Sequence, residues 1–134
     1  MSMFTHVMVG TNDPDKARAF YDAVFGALGI PGMQAPNGAL WYGDPEAREA
    51  MFAVVTPRNE EPACFANGGT IGFKAESAAQ VDAWHAAGLA NGGSDEGPPG
   101  PRDWNMPLYV AYLRDPDGNK LCALFLTGEP GEAS

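Results

Sequence analysis

The sequence predicts an α+β fold: two βαβββ modules, each a curved mixed sheet carrying one helix, in a single domain. Three features lead to it. Strand-like alternation and helical stripes follow one another in the same order twice along the chain. The two halves also align residue by residue. Setting Asp13 on Ser77 puts Ala17 on Val81, Phe20 on Trp84 and His6 on Thr70; setting "DPEARE" on "DPDGNK" puts Trp41 on Tyr112 and Met51 on Cys122. Finally, 134 residues, 45% hydrophobic and 19% charged, suit one globular domain with a sizeable core. The expected modules run over about 1–62 and 68–128 of a domain spanning 1–128, with 129–134 as a disordered tail. Neither half is long enough to bury its sheet alone, so the two must pack together.

Each element has a local cause. "MFTHVMVG" is rich in β-formers and alternates, with Phe4, His6 and Met8 on one face. Asp13 is a good N-cap and Pro14 suits the first helical position. Ala17, Phe20, Tyr21, Val24 and Leu28 then make one apolar stripe, and Gly29 ends the helix. "NGALWYG" and "REAMFAVVTP" read as strands. In the second half "GGTIGFKA" is a strand, and Ser77 with Gln80 forms a capping box that opens a helix. The Pro- and Gly-rich "GSDEGPPGPRDWN" is a loop or a bulged edge strand, and it absorbs the extra length of this half. "LYVAYLR" and "NKLCALFL" form a hairpin around "DPDG", with Gly118 at positive φ. If Asp115 and Asn119 flank that turn, Arg114 faces Lys120, Leu113 faces Leu121 and Tyr112 faces Cys122.

The formal charge of −9 repels a phosphate backbone, so nucleic acid is not an expected partner. No apolar run is long enough to span a membrane, and the N-terminus carries no signal-like segment. A cytoplasmic protein is expected, with Cys64 and Cys122 as free thiols.

The motifs "FTHVMV…DPDKARAFYDAVFGALG", "GGTIGF" and "LRDPDGNKLCALF" resemble the vicinal oxygen chelate superfamily of glyoxalase I, extradiol dioxygenases and bleomycin-resistance proteins. The likeness runs from Phe4 to about Leu126. It implies a site in a concave sheet, with any metal ligands on the first and last strands of the modules. Carried over by position, those corners are His6, Met51, Thr70 and Cys122. Metal-dependent members typically carry His at the position of Thr70 and Glu at that of Cys122. A divalent metal is therefore possible for the family but not supported by these ligand positions, and His6 alone keeps its ligand type. His6, Met51 and Cys122 would otherwise make a nitrogen–thioether–thiolate set suited to copper(I).

Taken without the family, His6 between Phe4 and Met8 reads as a pocket or core residue; it is also the one strong acid–base candidate near neutral pH. The resemblance adds that extradiol enzymes carry a functional Tyr at the spacing of Tyr112 from Cys122. Trp41, Phe4, Phe52 and Trp104 are candidate aromatic walls, and Arg102 is either a solvated side chain or an anion-steering one in a loop over the pocket. His85 is expected to be structural.

Two functions follow. One is a glyoxalase-like protein whose small-molecule pocket, lined by Phe4, Trp41, Met51, Phe52, Thr70, Cys122 and Arg102, works without a metal. The alternative is a metal-dependent lyase, isomerase or dioxygenase of a small oxygenated substrate, with His6 and Tyr112 catalytic. A homodimer is the expected assembly, as among the relatives.

Overall fold

The computed structural model describes residues 2–47, 49–103 and 107–127. The expected tail at 129–134 lies outside them. The first half runs β1 (His6–Gly10), α1 (Pro14–Ala27), β2 (Gly32–Gln34), β3 (Leu40–Tyr42) and β4 (Met51–Val55). The second runs β5 (Ile71–Lys74), α2 (Ala78–Ala90), β6 (Ser94–Asp103), β7 (Pro107–Arg114) and β8 (Lys120–Leu126). Each half makes a four-stranded sheet, ordered β1-β4-β3-β2 and β5-β8-β7-β6, with one parallel pairing and two antiparallel ones. The βαβββ repeat therefore stands in both halves.

The helices begin where their caps place them. The Asp13 carboxylate accepts the Lys16 amide at 3.2 Å, and Pro14 opens α1 where no intrahelical donor is needed. Ser77 Oγ accepts the Gln80 amide, while Gln80 Oε1 reaches back to the Glu76 amide rather than to the cap residue. Gly29 takes φ +73° after α1, a conformation disfavoured for residues with a Cβ. Strand β2 carries no sequence signal because three exposed residues cannot display a period. The Pro/Gly-rich stretch becomes β6, an edge strand whose register against β7 shifts twice.

Strand alternation gives each sheet a face packed on the helices and a far face. On the helix side, Phe20, Tyr21, Val24 and Phe25 of α1 and Val81 and Trp84 of α2 share one core with Phe52, Val54, Leu113 and Leu121. Phe73 from the second half packs 4.9 Å from Phe25 and 5.2 Å from Phe52 between ring centroids, so the modules share aromatic packing as well as a chain.

One buried carboxylate ties the halves together. Asp115, 4% exposed, accepts the Asp117 and Asn119 amides on one oxygen, each at 2.9 Å. Its other oxygen accepts the Asn119 side-chain amide at 2.8 Å and the Tyr21 hydroxyl from α1 at 2.5 Å. Burial, reinforced by the Asp115 charge, pushes the Tyr21 hydroxyl well above its ordinary pKa, so it remains a donor.

Removing the carboxylate would orphan several buried donors at once. Asp115→Ala is expected to cost about 3–5 kcal/mol in urea unfolding, and Tyr21→Phe, which removes one donor, about 1–2 kcal/mol. A double-mutant cycle between them should show coupling; simple additivity would mean the pair does not join the modules.

Candidate ligand-binding site

The candidate residues separate by sheet. On the far face of the first sheet, His6 pairs in register with Met51, and its ring lies 5.6 Å from that of Trp41. His6 is exposed, and its Nδ1 sits 3.0 Å from the Thr5 hydroxyl. On the far face of the second sheet, Tyr112 pairs with Cys122, and Arg114 with Lys120, as the turn geometry predicts. The turn itself closes through the Asp115 amide on the Asn119 carbonyl, with Gly118 at φ +91°.

The four corner positions are not equivalent in space. Met51 has His6 as its parallel neighbour, whereas the parallel neighbour of Cys122 is Gly72, not Thr70. Thr70 lies just before β5 and is exposed. The glycine has a local reason, since a Cβ at position 72 would stand 3.2 Å from Cys122 Sγ. Phe52 points to the helix side and is a core residue. Trp104 lies outside the described residues.

The chemistry of these donors can be weighed against a divalent metal. They are an imidazole, a thioether, a hydroxyl and a thiol. Burial pushes the Cys122 thiol up, only partly opposed by Lys120, so it holds its proton at neutral pH. A thioether and an alcohol are poor ligands for hard or borderline divalent ions. Among the described residues, no three His, Cys, Asp or Glu side chains are grouped to hold an ion. The donor set does not fit a divalent metal.

Four of the candidate pocket residues do meet. Phe4, Met51, Phe52 and Thr70 line a cavity of about 500 Å³ between the two modules. Val7, Phe25, Ile30, Tyr42, Ile71 and Phe73 complete most of its wall, and Asp44 is the one charged lining residue among the described residues. The size and apolar wall suit a small organic molecule. His6, Trp41, Arg102, Tyr112 and Cys122 lie outside this cavity.

Residues missed in the linear reading sit around Tyr112. A Cβ at Gly97 would stand 3.0 Å from Cδ2 of the Tyr112 ring, so the ring packs against a glycine. Lys120 holds its ammonium 5.2 Å from the centroid of the same ring. Lys120 was legible from period-two alternation with Cys122, but Gly97 was not, because the β6 register shifts hide its partner. His85, expected to be structural, is 7% exposed and meets Asp95 at 2.8 Å, which lowers the Asp95 pKa.

The chain matches the model of the Glyoxalase/Bleomycin resistance protein/Dioxygenase superfamily over residues 3–123. Among solved structures, a glyoxalase/bleomycin resistance protein from Albidiferax ferrireducens T118 is 53% identical, with a TM-score of 0.86 over 92% of this chain and 99% of that one. A lactoylglutathione lyase from Agrobacterium tumefaciens is 25% identical, with a TM-score of 0.62 over 93% and 94%. A glyoxalase-related enzyme from Fulvimarina pelagi shares the fold at 16% identity, with a TM-score of 0.71 over 100% and 98%. No curated protein matches the chain.

The two thiols should differ sharply in reactivity. Cys64 is exposed and Cys122 buried, with its pKa raised. Near neutral pH, Ellman's reagent is expected to give one fast phase, abolished by Cys64→Ser, and to reach Cys122 only on unfolding. A second fast phase in the native protein would show that the Tyr112–Cys122 face is open to reagents.

Proposed function

We propose that this chain, which belongs to the glyoxalase/bleomycin resistance protein/dioxygenase superfamily, is a metal-independent binder of a small, largely apolar molecule held between its two modules. The observation that carries this reading is the division of the candidate residues. Phe4, Met51, Phe52 and Thr70 line one apolar cavity, while the positions that would ligate a metal supply weak or protonated donors on separate sheets. The cavity has room for a molecule of a few rings, and its aromatic wall favours a planar one. The cytosol is the proposed compartment, where both thiols stay reduced.

The test uses chelator-stripped protein and 2-naphthol as a neutral aromatic probe. Calorimetry is expected to give no stoichiometric binding of nickel, manganese, iron(II) or zinc. Binding of 2-naphthol should be the same before and after chelation and should fall at least about tenfold in Thr70→Phe, which projects a ring into the cavity. Tight binding of one of these metals, lost in His6→Ala, would overturn the reading and favour the metal-dependent lyase, isomerase or dioxygenase.

We also infer a homodimer. The far face of the first sheet leaves Met8 46% and Met33 55% exposed, and among the described residues β1 and β5 each end their sheet with an unpaired edge. Light scattering is expected to report a dimer that Met8→Glu combined with Met33→Glu converts to monomer. A wild-type monomer at micromolar concentration would refute this assembly.

A further inference from the structure

The cavity between the modules is apolar except at one point. Its wall carries the rings of Phe4, Phe25, Tyr42, Phe52 and Phe73, and among the described residues no Lys, Arg or His lines it. Asp44 brings the one charge, in the turn that follows β3.

Local structure holds that carboxylate in place. Gly43 takes φ +128°, and its amide donates to the Pro31 carbonyl at 3.0 Å, which ties the start of the turn to the segment after α1. Within the turn, Asp44 Oδ1 accepts the Glu46 amide at 2.9 Å, and the Asp44 carbonyl accepts the Ala47 amide at 3.2 Å. Oδ2 has no hydrogen-bond or ion-pair partner among the described residues. The Tyr42 hydroxyl cannot serve it, since it already donates to Asp22 at 2.8 Å.

A second source of negative potential meets the same wall. Helix α1 ends against the cavity, where Phe25, Gly29, Ile30 and Pro31 line it. Its last turn holds no basic residue to offset the partial negative charge of a helix C-terminus. The faces of the aromatic rings are negative as well and attract cations. The net charge of −9 adds a long-range attraction of the same sign.

We propose, resting on the reading of this cavity as the ligand site, that its occupant is an amphipathic organic cation. A planar hydrocarbon body lies among the aromatic side chains, and an ammonium group at one end donates to Asp44 Oδ2. An anionic ligand would meet repulsion at that point, and a neutral one would leave the carboxylate unused.

The test compares naphthalen-2-ylmethylamine, charged at neutral pH, with naphthalen-2-ylmethanol, similar in body and neutral. Calorimetry with the full chain at low ionic strength should find the amine at least about fivefold tighter than the alcohol, a ratio that added salt lowers. In Asp44→Asn the ratio should fall to about one, while Asp44→Glu, which keeps the charge, should retain part of it. Thr70→Phe should weaken both probes. Equal affinity for amine and alcohol in the wild type would overturn the charge assignment and leave the cavity reading standing. A preference that survives Asp44→Asn would overturn it too, because the acidic surface at large would then be attracting the amine. So would a preference that emerges only in Arg48→Gln, since the arginine of the same turn, which lies outside the described residues, would then be holding Asp44 itself. Binding of neither probe nor 2-naphthol would sink the cavity reading and the charge assignment together.

Discussion

The buried Asp115 carboxylate is the interaction on which the arrangement of the two modules rests. Its four accepted hydrogen bonds come from its own turn, from Asn119 and from the first helix. A buried charge is tolerable only when its lone pairs are satisfied, and here that requires Tyr21 to arrive from the other module. Around it, the Asn119 amide reaches the Gly10 carbonyl and the Asn12 backbone amide donates to Asp117. The same Asn12 exchanges two hydrogen bonds with Ala63 in the connection between the halves. Polar contacts thus align what the aromatic core holds.

Because both helices and both inner sheet faces bury into one core, the far faces are released from packing duty and diverge. The first carries His6, Met8, Met33, Trp41 and Met51, a soft and apolar surface with one imidazole. The second carries the basic residues around Tyr112 and Cys122. The two scaffolds have the same strand order, and their outward positions, which do not enter the core, carry different chemistry.

Much of this was legible in the linear chain because it depends on neighbours. Asp13 and Ser77 cap helices through donors three residues on, and Asp115 with Asn119 sets the hairpin register that brings Tyr112 to Cys122. What could not be read depends on bulges and edges. The β6 shifts place Gly97 beneath Tyr112, and the step between modules puts Gly72 rather than Thr70 beside Cys122. Residue-by-residue alignment of the halves assumes equal strand registers, and β5 pairs with β8 two residues out of step with the pairing of β1 with β4.

The sequence by itself determined the two βαβββ modules, the helix boundaries and the final hairpin, since each follows from local periodicity or residue identity. Only the tertiary structure decided which candidate residues stand together. It set Phe52 into the core, gathered Phe4, Met51 and Thr70 around the space between the modules, and left His6 and Tyr112 on different sheets. Those outcomes depend on how two sheets of known pattern dock, and docking is governed by long-range packing and one buried carboxylate that no short stretch of sequence encodes.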